Sequence, residues 1–125
     1  MNRIERQRIV SILAEAAQEV LKELGHDLPL ALYKECFLLE MKLKGINFRE
    51  DVVIPLNYKG FKPETLIKSQ LLIENDMPLE LVCDPVPTTG AMDSILRLWN
   101  KELGLIINFA SQQTDNLIIK VVQKT

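Results

Sequence analysis

The stretch from Leu79 to Phe109, LELVCDPVPTTGAMDSILRLWNKELGLIINF, decides the fold of this chain. It opens with a mostly apolar strand over 79–83 and closes with a fully apolar strand over 105–109. Between the two strands, apolar residues recur at helical spacing over 91–103, and Gly104 is the predicted helix stop. Strand, helix and strand in this order predict a right-handed parallel crossover whose second strand is buried inside a sheet.

Two helices are predicted upstream of this unit. The first covers 4–24 and ends at Gly25, a residue suited to a left-handed helix cap. The second runs from an Asp27 cap to about Lys44. Their predicted buried stripes are Ile9, Leu13, Ala16, Val20 and Leu24 in the first helix, and Leu28, Leu32, Cys36, Leu39 and Leu43 in the second.

Strand patterns fill the middle and the end of the chain. Strands are predicted over 46–48 and 52–58, joined by a charged turn over 49–51, and a longer strand over 65–73 follows a hairpin turn at Lys59-Gly60. A last strand is predicted over 116–122. The order ααβββ(β)αββ predicts an α/β fold, a mixed central sheet flanked by helices, in one domain over 1–125.

Composition excludes several classes of protein. The 125 residues are 47% hydrophobic and 26% charged, which excludes a disordered chain. The net charge of -2 provides no overall basic field for nucleic acid. From the charged N-terminus we expect no secretory signal, and no apolar run of this sequence is long enough to span a bilayer. Cys36 and Cys83 are isolated, which predicts two buried reduced thiols and a cytoplasmic protein.

Four pieces of sequence, in order, resemble the GxxExxY family, which is placed in the PD-(D/E)XK nuclease-like superfamily. They are Glu23-Leu24-Gly25, Tyr33, Pro55-Leu56-Asn57-Tyr58-Lys59-Gly60 and Gly104-Leu105-Ile106-Ile107-Asn108-Phe109. The resemblance covers the chain from about Ile9 to Val122. It implies a restriction-endonuclease-like core and a metal-dependent nuclease ancestry.

The family's active positions map onto mostly changed residues. The naming motif falls on 27–33, where Tyr33 matches but Asp27 and Leu30 replace the glycine and the glutamate. The metal-binding aspartate falls on Gln70, and the Glu-x-Lys motif falls on Glu80 and Val82. The family's helical Gln-x-x-x-Tyr pair falls on Ala91 and Ile95. The resemblance therefore implies a degenerate site in which only Tyr33 and Glu80 survive.

This loss has a chemical consequence. Such nucleases hold a divalent cation between carboxylates, and the cation activates water and neutralises developing phosphate charge. With Glu80 as the remaining anion, we expect no catalytic residues, no metal and no cofactor. The alternative is an active nuclease with migrated residues, in which Mg²⁺ is held by Glu80 with Glu74 or Glu64, and Lys68 serves as the migrated lysine.

The sequence contains three further candidates for a functional role: a histidine, a tryptophan and a group of basic residues. His26 is predicted to be an exposed loop residue, and Trp99 lies on the apolar stripe of the third helix. A modest basic zone could bind nucleic acid without chemistry, which is a second alternative. Its members are Arg3, Arg6, Arg8, Lys42, Lys44 and Arg49.

Three spatial expectations follow. Leu30, Gln70, Glu80, Val82 and Ile95 should cluster in the former site. Glu80 should pair with Lys68 or Tyr33, or form a hydrogen bond with Gln70. The last strand is apolar on both faces and the mean hydropathy is +0.05, so we expect a homodimer or a protein partner, with no membrane contact.

Overall fold

The structure, a computed structural model, describes residues 1–85, 88–110 and 118–125. Helices α1 (Arg3–Leu24) and α2 (Leu30–Leu43) precede strands β1 (Phe48–Val53), β2 (Lys68–Ile73) and β3 (Met77–Val82). Helix α3 (Gly90–Trp99) and strands β4 (Leu103–Asn108) and β5 (Ile119–Gln123) follow. The predicted α/β class is confirmed.

The five strands form one mixed sheet in the order β1-β2-β3-β4-β5. Strands β3 and β4 are parallel, with Leu79 beside Leu105 and Val82 beside Asn108. The other neighbouring pairs are antiparallel. The predicted parallel connection through α3 is therefore present, and β4 is an interior strand as predicted.

The helices lie on opposite faces of the sheet and create two cores of unequal size. The larger core lies between α1, α2 and one sheet face, where Leu79 and Leu81 point. Because side chains alternate along a strand, Glu80 and Val82 point to the other face, towards α3. The buried residues of this smaller core are Ile54, Met92, Ile95, Leu96, Ile106 and Val122.

Helix α1 follows the sequence closely. The Asn2 side chain accepts a hydrogen bond from the Glu5 N–H at 2.8 Å and caps the helix. Gly25 adopts φ 84° at the other end, a conformation that glycine adopts without strain. Four residues of the predicted stripe, Ile9, Leu13, Ala16 and Val20, are buried, and Leu24 is partly buried against the same core.

Helix α2 buries a different face from the predicted one. It begins at Leu30 after Pro29, while Asp27 lies outside it with φ 63° and is not the cap. The predicted stripe is wrong at Leu32, Leu39 and Leu43, which are 37%, 56% and 70% exposed. The helix buries its bulkiest side chains instead, namely Tyr33, Phe37 and Met41, since aromatic rings bury more apolar area than leucine.

The prediction of two short strands over 46–48 and 52–58 is wrong, because one strand, β1, covers 48–53. The charged residues 49–51 lie inside one strand rather than in a turn, because an edge strand can expose charged side chains to water. The predicted hairpin turn at Lys59-Gly60 is confirmed: both residues have positive φ, and Tyr58 and Phe61 bridge across them. Strand β2 begins at Lys68, three residues later than predicted.

Gly104 lies inside β4 and does not end α3. The helix ends at Trp99, and Asn100 caps it with φ 55°. A Cβ on Gly104 would lie 2.9 Å from Met92 Cγ and 3.1 Å from Leu96 Cδ2. The glycine is therefore required for the close approach of α3 to the sheet rather than for a turn.

Residues 116 and 117 of the predicted last strand lie outside the described residues, and β5 is an edge strand.

Both cysteines are free, but Cys83 is exposed, so the prediction that it is buried is wrong. His26 is exposed as predicted, and Trp99 packs against the smaller core. None of the described helices is long and apolar enough to cross a membrane.

Candidate functional site

An open cleft of about 520 Å³ lies between α3 and the sheet face formed by β2 and β3. It brings together five of the predicted site positions and the predicted migrated lysine. These are Lys68, Gln70, Glu80, Val82, Ala91 and Ile95. The parallel crossover places them here, since α3 follows β3 in the chain and packs on the sheet face that carries Glu80 and Val82.

The strands β2 and β3 separate at the centre of this site. Their paired residues run from Ile73 and Met77 to Leu71 and Leu79, and the ladder ends there. The next two facing residues are Gln70 and Glu80, and there the Gln70 N–H donates a hydrogen bond to Glu80 Oε1 at 3.2 Å. The predicted contact between Glu80 and Gln70 is thus confirmed.

The Gln70 side chain bridges the same gap. The Leu81 N–H donates to Gln70 Oε1 at 3.1 Å, and Gln70 Nε2 donates to the Leu81 carbonyl at 3.2 Å. One amide side chain therefore satisfies both backbone groups of a residue in the neighbouring strand, as a paired peptide would. Gln70 and Glu80 together replace the missing part of the ladder.

Glu80 is partly buried, and this burial raises the pKa of its carboxyl from 4.5 to about 7. The hydrogen bond from the Gln70 N–H, the nearby polar side chains of Gln70 and Ser69 and the charge of Lys34 each lower that pKa, by less than burial raises it. Glu80 is therefore divided between its neutral and charged forms near neutral pH.

The cation that acts on Glu80 is Lys34 of α2, a residue that the sequence analysis missed. Its Nζ lies 3.8 Å from Glu50 Oε1. Lys68 lines the cleft but is exposed, and within the described residues it forms no ion pair with Glu80. The local sequence around Lys34 does not indicate this effect on Glu80, because it depends on how α2 lies against the strands.

Leu30 and Tyr33 lie away from the cleft, and the prediction that Leu30 clusters with Gln70 and Glu80 is wrong. Both residues belong to α2 and pack in the larger core, on the opposite sheet face. The Tyr33 ring stacks on Phe109 with centroids 4.7 Å apart. Its hydroxyl donates to the Gly25 carbonyl at 2.6 Å and accepts from the Leu28 N–H at 3.3 Å. Tyr33 therefore ties the α1–α2 connection to the core.

The Asn108 side chain forms hydrogen bonds with the backbone of the segment that follows β3. It is 8% exposed, its Nδ2 donates to the Asp84 carbonyl at 2.8 Å, and its Oδ1 accepts the Asp84 N–H at 3.1 Å. The same oxygen accepts the Ala110 N–H at 3.0 Å. A polar side chain in an otherwise apolar strand thus fixes two loops at the carboxyl ends of the parallel strands.

The donor set of the cleft does not suit a divalent cation. Mg²⁺ and related ions take several hard oxygen ligands, usually including carboxylates. Among the described residues, no group of three His, Cys, Asp or Glu side chains could hold a metal. Glu74 lies in the turn after β2, where it accepts the Asn47 N–H at 3.0 Å, and Glu64 does not line the cleft.

Part of the predicted basic zone is neutralised. Arg6 Nε lies 2.8 Å from Asp76 Oδ2, and Arg6 Nη2 donates to Asp76 Oδ1 at 3.1 Å. The hydrogen bond to Asp76 raises the pKa of the Arg6 guanidinium. Arg6 is therefore held in a two-pronged ion pair with the β2–β3 turn.

Comparison with known proteins gives one result. The family model of the PD-(D/E)XK nuclease superfamily matches residues 7–121, and neither the curated proteins nor the solved structures give a match. A five-stranded mixed sheet with three helices agrees with the restriction-endonuclease-like fold of that superfamily. With a match over nearly its whole length, the chain belongs to the PD-(D/E)XK nuclease superfamily.

Proposed function

We propose that this nuclease-like domain is non-catalytic and acts as a binding or protein-interaction module. The observation that carries the proposal is the use of the Gln70 amide. Its oxygen and its nitrogen are both engaged by the Leu81 backbone, at the position where the resemblance implies a metal-binding aspartate. A side chain that completes the sheet in this way is not free to bind a cation.

The neighbours of Gln70 support the same proposal. Glu80 is the one carboxylate among the described residues that line the cleft, and its Oε1 already accepts the Gln70 N–H. Val82, Ala91 and Ile95 offer no ligand and no proton donor. One carboxylate would leave most of the charge of a divalent cation and of a scissile phosphate uncompensated.

The test combines binding with activity. Mg²⁺ or Mn²⁺ at millimolar concentration should leave the melting temperature unchanged, since a ligand that binds the native state raises it. Single- and double-stranded DNA and RNA should not be cleaved. Metal-dependent hydrolysis that disappears in the Glu80→Ala variant would overturn the proposal and favour the nuclease with migrated residues.

The narrower assignment to the GxxExxY family is part of the proposal. It is supported by Tyr33, by the segment 55–60 and by the element order.

A second candidate function is binding of single-stranded nucleic acid without chemistry, and one observation favours it. Tyr58 and Phe61 are 63% and 62% exposed and bridge as cross-strand partners, which places both rings on one face of a tight hairpin. Lys59 Nζ lies 5.6 Å from the centre of the Tyr58 ring. Exposed aromatic rings beside lysines can stack on bases while the cations approach phosphates.

This candidate has its own test. Fluorescence anisotropy with a labelled single-stranded oligonucleotide should show binding that weakens with salt and that falls when Tyr58 and Phe61 are both changed to Ala. Changing the exposed Leu43 to Ala is the control. Binding that is absent at low salt would exclude the candidate.

A further inference from the structure

We infer that the free edge of β5 pairs with β5 of a second copy of this chain, in antiparallel orientation about a two-fold axis at Val121. The inference names the partner of the proposed interaction module and so rests on the proposed function. A closed, isologous contact of this kind uses the same strand of both copies.

The two edges of the sheet differ in how they are protected. Strand β1 carries three successive exposed charged residues over 49–51, and Asp51 has φ 51° and is absent from the residues paired with β2. Charges and a backbone irregularity are the usual means of preventing edge-to-edge pairing. Strand β5 is regular over 119–123 and carries one charged residue, Lys120.

The hydrogen-bond register of β5 leaves a defined set of backbone groups free. The Ile118 carbonyl accepts the Asn108 N–H at 2.8 Å, and the Lys124 N–H donates to the Glu102 carbonyl at 2.9 Å. Since an antiparallel strand alternates between its two neighbours, Ile119, Val121 and Gln123 direct their backbone groups away from β4. Within the described residues these outward groups have no partner.

An axis at Val121 pairs these outward groups with each other. The Val121 N–H of each copy meets the Val121 carbonyl of the other, and Ile119 meets Gln123 on either side. The same register places Lys120 opposite Val122 and Lys124 opposite Ile118, so no lysine faces a lysine. The strand is therefore complementary to itself in both hydrogen bonding and charge.

The side chain at the two-fold axis, Val121, is apolar and would be buried by the contact. Val121 is 44% exposed and its Cα is paired with Leu105, so its side chain lies on the α1 and α2 face. In the pair of copies the two Val121 side chains would contact each other directly, as cross-strand partners do. Antiparallel addition of a strand in this way extends the five-stranded sheet to ten strands.

The test is the oligomeric state of the full chain by sedimentation velocity. Wild type should be a dimer at micromolar concentration, and Val121→Glu should weaken the dimer about a hundredfold because two carboxylates then face each other. Val53→Glu is the matched control, because Val53 is 45% exposed on the other edge strand. Val53→Glu should dimerise like wild type.

A second measurement does not depend on substitutions. Hydrogen exchange at the Val121 amide should slow as protein concentration rises, while exchange at the Val53 amide stays unchanged. A wild-type chain that is monomeric at high concentration, or a dimer that Val121→Glu leaves intact, overturns the inference. Neither result bears on hydrolysis, which the assay with metal and nucleic acid measures separately.

Discussion

Glu80 Oε1 accepts a hydrogen bond from the Gln70 N–H at 3.2 Å, in the gap where strands β2 and β3 stop pairing. The bond closes a break in the sheet with a carboxyl group whose pKa burial raises to about 7. The stability of the sheet is thereby linked to the protonation state of Glu80.

The first prediction concerns pH. Because the folded pKa of Glu80 is raised above 4.5, the folded state binds more protons than the unfolded state between about pH 4.5 and pH 7. The contribution of protonated Glu80 is complete below this window and is lost as pH rises through it. Glu80→Gln keeps an acceptor without the charge, so it should be more stable than wild type at about pH 8.5, by up to about 3 kcal/mol. Urea denaturation at about pH 4.5 should show no such advantage, and an equal difference at both pH values would contradict this linkage.

The second prediction restores the residues that the family resemblance implies. The double substitution Gln70→Asp with Val82→Lys should lower stability without metal, because Leu81 loses both hydrogen bonds from the Gln70 amide and a second carboxylate meets Glu80. Mg²⁺ should then raise the melting temperature of this variant, while wild type stays unaffected. Differential scanning fluorimetry with and without Mg²⁺ provides the measurement. Equal metal responses of the two proteins would argue against the proposed loss of the site.

The third prediction tests whether Tyr33 acts in the fold or in the cleft. Tyr33→Phe keeps the stacking on Phe109 and removes the hydroxyl that bonds Gly25 and Leu28, at a cost of about 1–2 kcal/mol. Tyr58→Phe, at an exposed position, should stay within about 0.5 kcal/mol of wild type. Chemical denaturation measures both. A Tyr33→Phe variant as stable as wild type would show that the hydroxyl contacts contribute nothing.

The fourth prediction concerns the contact between α3 and β4. Gly104→Ala places a methyl group against Met92 and Leu96, both fully buried or nearly so, and should cost about 1–3 kcal/mol. Gly90→Ala is the control, because nothing lies within 4 Å of its added Cβ. Thermal unfolding of both variants measures the difference. Equal effects would mean that α3 adjusts freely to the larger side chain.

The fold could be predicted from the sequence where a periodic pattern of apolar residues coincided with burial. The stripe of α1 and the parallel crossover from β3 to β4 are examples, since each depends on spacing alone. It failed in α2, where the leucines that fit the period are exposed and the larger residues Tyr33 and Phe37 are buried. Periodicity does not tell which of two apolar faces meets the core.

The candidate site was predictable only in part. Gln70, Glu80 and Val82 share one sheet face because of the strand period, but the sequence motif also implied Leu30, which the structure places on the other side of the sheet. The action of Lys34 on Glu80 depends on how α2 lies against the strands, and no local pattern records that placement. The use of the Gln70 amide as a substitute for a backbone pair likewise depends on the gap in the ladder.

The two cores on either side of the sheet also differ in how readily they open. Among the described residues, the larger core has 18 buried residues, which come from α1, α2, the strands β2, β3 and β4 and the segments beside the strands, whereas the smaller has six. Fewer buried contacts lower the free energy of a local opening, so α3 can detach while α1, α2 and the sheet stay folded. We therefore expect the cleft to belong to the cooperative unit that unfolds first, and amides of α3 to exchange with solvent before those of the central strands.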